Sequence, residues 1–291
     1  MNTRSIMVAA LAGLTALSMA GCGWNVSVNR APLGPTKTQE IDVPMPDTKD
    51  QVWDVQLDPA VGEVNVTSSG ESLVQGTIAY NTDMLKPEIV MGSNSVRVRQ
   101  SVPTNVSFGP GVKNEWEIQL GPGQPMNLRI HTGATRGTYE LGGLSLRTAE
   151  FALGATDTSI SFRKPNPETV TDFTLNGGAA TVIVTGLGNL NIRRGSITAG
   201  AGTFRLSFGG ELRQDAEISL EGGVSTFDID SAGNPVQVIA SKQGLSAIRP
   251  SSGWTQNGST YSSPEMAGSS GPKIVIRVNV GLGTVNLLSS R

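Results

Sequence analysis

"GAGTFRLSF" (residues 200–208) and "GLGTVNLLS" (281–289) are two versions of one glycine phrase. Further versions open at Gly154, Gly178 and Gly223, and weaker ones open at Ala60 and Arg136. Successive phrases from residue 154 to residue 223 are 24, 22 and 23 residues apart, and "GLSAIRPSS" at Gly244 divides the remaining gap into 21 and 37. Self-similarity at such a period predicts a solenoid in which each repeat packs on its neighbours.

Aligning the phrases produces two apolar columns. The fourth residue after each leading glycine is Thr158, Val182, Phe204, Phe227, Ile248 or Val285. The sixth is Ile160, Val184, Leu206, Ile229, Pro250 or Leu287. Because side chains alternate across a strand, both columns are predicted to point inward and the residues between them outward. That outward column is Ser159, Ile183, Arg205, Asp228, Arg249 and Asn286, and a threonine ladder is predicted beside it at Thr181, Thr203, Thr226 and Thr284.

A second alternating run follows each phrase, as in "GGELRQDAEISL" from Gly209. One repeat is therefore predicted to be one coil of two or three short strands, with glycine at the corners. No helical periodicity is sustained after Cys22, so the predicted fold class is all-β, a parallel β-helix with coils of roughly 20–24 residues. A phosphate-binding loop is disfavoured, because Gly200 and Gly202 lead into an alternating strand and not into a helix.

Composition excludes several function classes. Lys plus Arg number 22 against 24 Asp plus Glu, which gives no positive field for nucleic acid, so no nucleic-acid partner is expected. The chain has one Cys and one His, so it can form neither an internal disulfide nor the His clusters common in metal sites. No cofactor, no metal site and no catalytic residue is predicted.

The N-terminus is predicted to be a bacterial lipoprotein signal peptide covering residues 1–21. Its apolar run from Ile6 to Met19 is too short to span a bilayer, and "LSMAGC" resembles a lipobox, with Cys22 as the lipidated residue. The alternatives are an ordinary signal peptide with an incidental Cys22 thiol, or a retained membrane helix. The lipobox resemblance predicts a protein of the cell envelope, lipid-anchored on the extracytoplasmic side of a membrane.

The rest of the chain divides into three regions. Residues 22–50 are rich in Pro and polar residues and are predicted to be a lipidated tether. Residues 51–125 are an N-terminal β region, and residues 126–291 are the β-helical repeats. Within these repeats, the Ser-, Gly- and Pro-rich segment 250–272 is predicted to be an insertion that Trp254 or Tyr261 pins to the coil.

Two stretches resemble the bacterial toastrack domain. They are "DVQLDPAVGEVNVTSSGESLVQGTIAYNTDMLKPEIVMGSNSVRVRQS" (54–101) and "HTGATRGTYELGGLSLRTAEFALGATDTSISFRKPN" (131–166), and the resemblance covers most of residues 50–291. It implies a right-handed, single-stranded β-helix. Such domains are modules of membrane-attached proteins that include adhesins and LiaF-like envelope-stress regulators. This chain departs from the LiaF-like pattern by having a lipid-type signal in place of several membrane helices.

Two functions are left open at this stage. One is a non-enzymatic envelope lipoprotein whose rigid body binds or adheres to envelope proteins or cell-wall glycan, with a link to envelope stress. The other is a carbohydrate-active enzyme acting on cell-wall or extracellular polysaccharide. The enzyme would need a carboxylate pair in a groove lined by exposed aromatic residues. The carboxylates weighed for it are Asp215, Glu217, Asp228 and Asp230, and the tryptophans are Trp53, Trp116 and Trp254. Ion pairing and core packing are the favoured roles for these residues, and a turn or packing role for His131.

Overall fold

The structure is a computed structural model that describes residues 29–48, 50–241 and 245–290. The predicted signal peptide, Cys22 and Gly244 lie outside the described residues. Within them there is no α-helix, and no helix that is long and apolar enough to cross a membrane. The predicted all-β class is confirmed. The strands are β1 (Asn29–Arg30), β2 (Lys37–Val43), β3 (Trp53–Asp58), β4 (Val61–Thr67), β5 (Val74–Tyr80), β6 (Glu88–Met91), β7 (Ser95–Arg99), β8 (Val106–Ser107), β9 (Asn114–Leu120), β10 (Met126–Glu140), β11 (Leu146–Ser161), β12 (Val170–Thr185), β13 (Ile192–Ser207), β14 (Ala216–Asp230), β15 (Val236–Ala240), β16 (Leu245–Pro250), β17 (Thr255–Asn257), β18 (Thr260–Ser262) and β19 (Ile274–Leu288).

Six long strands form the body of the molecule. They pair in parallel in the order β10–β11–β12–β13–β14–β19, and the glycine phrases stack in register. Val182 pairs with Phe204, Phe204 with Phe227, and Phe227 with Val285. All four are fully buried, and the Phe204 and Phe227 ring centroids lie 5.5 Å apart. The inward columns predicted from the sequence are therefore confirmed in this stack.

In the long strands β11, β12, β13, β14 and β19, the leading glycine of the phrase lies inside the strand, next to the glycine of the neighbouring level. A Cβ atom on Gly178, Gly200 or Gly223 would come within 3.0 Å of the carbonyl oxygen of the glycine one level before. Gly202 has a φ of +138°, and a Cβ atom there would overlap the carbonyl oxygen of Ala180. The phrase is thus set by the close approach of successive coils and by backbone shapes that side chains resist.

The order of the last levels corrects the sequence prediction. β19 lies between β14 and the pair β15 and β16, although it follows them in the chain. The phrase that contains Ile248 was predicted to lie between the phrases at Gly223 and Gly281, but it forms the outer level. Ile248 and Pro250 keep the inward register, opposite Val285 and Leu287, but among the described strands β16 pairs only with β19. Ile248 therefore packs against the core while only half-buried, and Pro250 is exposed, so the predicted burial is incomplete at this level.

Segment 250–272 contains a hairpin in place of a coil. β17 and β18 are antiparallel, and β18 also pairs antiparallel with β15, with Val238 opposite Tyr261. The Trp254 side chain is buried, and Tyr261 packs against the core. The hairpin therefore extends the sheet at the C-terminal end of the stack.

The N-terminal part makes the sheet mixed. β3 and β4 pair in parallel with β10 on one side, and with β7 and β9 on the other. β5 is antiparallel to β9 and β2, and β6 is antiparallel to β7, so the prediction of parallel pairing throughout was wrong. Residues 37–43, predicted as tether, are strand β2, because their alternation buries Ile41 and Val43 against the core. The right-handed sense of the coils stays a prediction.

Candidate functional site

The outer faces of the coils are ladders of polar side chains. The predicted threonine ladder is confirmed: Thr181, Thr203, Thr226 and Thr284 pair in sequence across four strands. All four are exposed or half-exposed. Stacked β-branched side chains stabilise neighbouring strands and still present hydroxyl groups to solvent. The ladder can therefore donate and accept hydrogen bonds along the stack.

Beside this ladder lies the outward column that contains Asp228. The Asp228 carboxylate contacts Arg205 on the preceding level, with 3.3 Å between the Arg205 Nε and Asp228 Oδ2 atoms. On the following level, Asn286 donates a 2.7 Å hydrogen bond to Asp228 Oδ1. This carboxylate therefore links three levels of the stack, which is the ion-pair role expected from the sequence.

Two of the other three candidate carboxylates accept hydrogen bonds from backbone N–H groups, and the third is exposed to solvent. Asp230 accepts hydrogen bonds from the main-chain N–H groups of Ala232 and Ser290, at 3.1 and 2.8 Å. Asp215 accepts a 2.9 Å bond from the N–H group of Lys273. Glu217 is exposed on β14, in register with Arg194. Three of the four carboxylates thus have structural partners, and Glu217 lies on an open sheet face, not in a cleft.

His131 lies within strand β10, not in a turn, so that part of its prediction was wrong. Its Nε2 atom is 3.3 Å from a Glu150 carboxylate oxygen, and its Nδ1 atom is 3.6 Å from Asp58. Gln56 donates to Asp58 at 2.9 Å, and Arg97 forms a 2.5 Å ion pair with the same carboxylate. The histidine is therefore one member of a charged network across β7, β3, β10 and β11. The alternating pattern of these strands could have placed it on the outer face, but its partners come from distant parts of the chain.

The tryptophans of the described region do not form a platform for sugar rings. Trp116 is fully buried, Trp254 is 9 % exposed, and Trp53 packs against the core while partly buried. Core packing, the favoured role, is therefore confirmed for these three residues. Within the described ranges, no group of three or more His, Cys, Asp or Glu residues is arranged to hold a metal ion.

An exposed apolar stripe runs along the glycine corner, and sequence reasoning missed it. The second residue of each phrase is Ala155, Ala179, Ala201, Val224 or Leu282, and these pair level by level. All five are exposed, Val224 by 60 % and Leu282 by 50 %. The signal was available in the sequence, because this position changes from Ala to larger apolar residues towards the C-terminus.

A groove at the N-terminal end was also missed. It has a volume of about 450 Å³, is open to solvent, and is lined by residues 32–35, 37 and 81–84. The Lys37 Nζ atom forms a 2.6 Å ion pair with Asp83 at its edge. This hydrogen-bonded pair raises the pKa of Lys37 and lowers the pKa of Asp83. The sequence could not predict the groove, since its two walls, residues 32–37 and 81–84, come from distant parts of the chain.

Comparisons with known proteins add a family and distant structural similarities. The family model described as the N-terminal domain of toast_rack, DUF2154, matches residues 33–185. No curated protein matches the chain significantly. Among solved structures, a "putative cell adhesion protein" from Clostridium sporogenes is 17 % identical, with a TM-score of 0.47, over 88 % of this chain and 100 % of the other. A "putative adhesin" from Bacteroides fragilis is 11 % identical, with a TM-score of 0.40, over 89 % of this chain and 100 % of the other. The family match carries the assignment, since the structural similarities are too distant to add to it.

Proposed function

Because this chain belongs to the toast_rack family, which matches more than half of its length, we propose that it is a non-enzymatic lipoprotein of the bacterial cell envelope. Its lipid anchor is Cys22, and its β-helical body, wound in the right-handed sense, is an adhesion or interaction surface. The partners are envelope proteins or cell-wall glycan. The proposal links the protein to envelope stress because LiaF-like envelope-stress regulators are among the proteins that contain toastrack domains.

The observation that carries this proposal is the continuity of the outer ladders. Thr181, Thr203, Thr226 and Thr284 follow one another on four neighbouring strands, with the Asp228 column beside them. A repeated polar surface of this kind offers the same groups to an extended partner at every level, about 4.8 Å apart. Enzymes need instead an enclosed site with converging polar groups. Three of the carboxylates weighed for such a site have structural partners.

Lipid anchoring is tested by changing Cys22 to Ser. Without the thiol there is no attachment point for the lipid, so the variant should appear in soluble fractions or as an unprocessed precursor. Cell fractionation and the mass of the N-terminal peptide check this result. Equal membrane retention of the Cys22→Ser chain with the same processed mass would contradict the anchor.

The interaction surface is tested by photo-crosslinking in cells. A photoreactive amino acid replaces Thr203 on the threonine ladder, and a matched chain carries it at Ser196, which is also half-exposed on β13 but lies in the other half of the strand. The Thr203 position should yield a discrete adduct at least fivefold more abundant than the Ser196 position, and mass spectrometry identifies it as protein or glycan. Equal adducts, or none from Thr203, would contradict a role for this ladder.

A further inference from the structure

The described chain begins very close to the proposed anchor. Six residues separate Cys22 from Asn29, the first residue of β1. A fully extended chain advances at most about 3.5 Å per residue, so Asn29 lies no further than roughly 25 Å from a lipidated Cys22. The stack from the level of β7 and β9 to that of β15 and β16 is longer, about 38 Å at ~4.8 Å per level. The anchor therefore determines which end of the solenoid is near the bilayer.

Three segments form the surface at that end. Residues 29–37 are joined to residues 105–113 through the pairing of β1 with β8. They are joined to residues 81–87 by a 2.7 Å hydrogen bond from the Gly34 N–H group to the Asn81 carbonyl. The Asn81 N–H group in turn donates to the Lys113 carbonyl at 3.2 Å. We name residues 29–37, 81–87 and 105–113 the anchor-end surface.

The anchor-end surface is basic in an otherwise acidic chain. It contains four basic residues, which are Arg30, Lys37, Lys86 and Lys113, and one acidic residue, Asp83. The whole chain has a formal net charge of −2. Lys37 pairs with Asp83, and Lys113 pairs at 3.0 Å with Glu115 just outside the surface. In the described part of the chain Arg30 and Lys86 are exposed and form no ion pair within 4 Å. The hydrogen bond from Lys37 and, to a smaller degree, the Lys86 charge lower the pKa of Asp83, but Asp83 makes its ion pair with Lys37, so Arg30 and Lys86 can both meet an external anion.

The same surface exposes apolar side chains. Leu33 is 51 % exposed, and it lies in the open groove between residues 32–35 and 81–84. Pro32, Gly34 and Pro35 around it are also exposed. An exposed apolar residue on the same surface as unpaired cations fits the interface of an anionic bilayer, where the apolar group enters the headgroup region and the cations meet lipid phosphates.

We propose that the anchor-end surface rests on the anionic lipid surface of the membrane to which the protein is anchored. Leu33 enters the headgroup layer, Arg30 and Lys86 bind lipid phosphates, and the hairpin of β17 and β18 is held away from the bilayer. This proposal rests on the lipid anchor of the proposed function. It adds a defined orientation, in which the threonine ladder extends away from the membrane.

The orientation is tested on the processed, lipidated full chain in vesicles of phosphatidylglycerol and phosphatidylethanolamine. A fluorescent label is attached to Leu33→Cys, and in a matched chain to Thr255→Cys, an exposed residue of β17 at the other end of the stack. Quenching by a nitroxide carried on the lipid headgroup should be at least threefold stronger at position 33 than at position 255. Equal quenching at the two positions would overturn the proposal.

The role of charge is tested with Arg30→Gln and Lys86→Gln together in the chain labelled at position 33. Quenching in anionic vesicles should fall at least twofold, towards its value in vesicles of neutral phosphatidylcholine. The control is Arg193→Gln with Arg249→Gln, two exposed cations outside the anchor-end surface, which should leave quenching unchanged. An equal effect of both pairs would refute the assigned contacts.

Flotation of the vesicles separates failure of this proposal from failure of the anchor. A chain that carries the lipid on Cys22 and floats with vesicles, yet is quenched equally at both positions, overturns the orientation and leaves the anchor intact. A chain that neither carries lipid nor floats overturns both.

Discussion

Tyr139 of β10 lies in the core, and its hydroxyl group has no hydrogen-bond partner among the described residues. Its ring is edge-on to Phe151, with the centroids 6.3 Å apart. A buried hydroxyl that has lost its water without gaining a partner costs about 1–3 kcal/mol. Burial also raises the pKa of Tyr139, because the phenolate is disfavoured away from water. The aromatic contact, not the hydroxyl group, is therefore what this residue contributes to stability.

Replacing Tyr139 by Phe should raise the free energy of unfolding by about 1 kcal/mol, since the ring stays and the unsatisfied hydroxyl is removed. The raised pKa of Tyr139 also determines how the stability of the parent protein depends on pH. Above pH ~10 the unfolded chain releases the phenol proton while the folded chain keeps it, so stability falls by up to about 1.4 kcal/mol per pH unit. Urea denaturation of both proteins from pH 7 to pH 11 measures this. A variant that is less stable at pH 7, or that loses as much stability above pH 10, would contradict the assignment.

Asp228 and Asp230 provide a second test at this scale. Neither the parent protein nor the double variant with Asn at both positions should cleave glycan. The cost to the free energy of unfolding should be about 1 kcal/mol, because the Arg205 pair is exposed to solvent and amide oxygens can still accept the other hydrogen bonds. Product analysis on peptidoglycan and thermal unfolding are the measurements. Cleavage by the parent protein that disappears in the folded double variant would place the protein among enzymes.

At the scale of the element, glycine is needed where each long strand comes closest to the backbone of the neighbouring level. Gly202→Ala should destabilise the protein by about 3 kcal/mol or more, because a Cβ atom would overlap the Ala180 carbonyl oxygen at a φ of +138°. Gly123 is the matched control, since nothing lies within 4 Å of an added Cβ atom there. Gly123→Ala should change the unfolding midpoint little. A similar loss in both variants would mean that the close approach of Gly202 to Ala180 does not explain the need for glycine there.

The sequence predicts best those strands whose neighbours repeat the same glycine phrase. Phe204 and Phe227 hold the same place in adjacent phrases, so register, burial and pairing all follow from the alignment. β2 was missed because its alternation is short and its partner β5 lies 37 residues further along the chain, from Lys37 to Val74. The network around His131 was missed for the same reason, since Asp58 and Arg97 reach it through long-range pairing. The alternation of apolar and polar residues predicts a strand and its buried face, but it does not predict which distant strand pairs with it.

At the scale of the whole molecule, the chain closes its stack by inserting its last strand. β19 lies between β14 and the pair β15 and β16, and its residues Ile274, Ile276, Val278 and Val280 are buried. The spacing of the phrases could not reveal this, because a phrase looks the same whether it is stacked next or last. The outer level can form its parallel pairs only after the C-terminal strand has arrived, which makes these contacts long in sequence separation and slow to close.

Ending the chain after Lys273 removes β19 and should unfold the C-terminal half of the stack. β14 would keep β13 on one side but lose β19 on the other along its whole length, and β15 and β16 would lose their parallel pairing to the body. Because each level of a solenoid is stabilised by its neighbours, the loss should spread from β14 towards β13. Hydrogen exchange should show amide protection in β14 falling by at least a hundredfold, while β10 and β11 keep most of theirs. A short Gly/Ser insertion at Gly258, in open space at the hairpin tip, is the control and should leave protection in β14 unchanged. Protection in β14 that survives the truncation would mean that β15 and β16 can pair with β14 directly, as the order of the phrases in the sequence suggested.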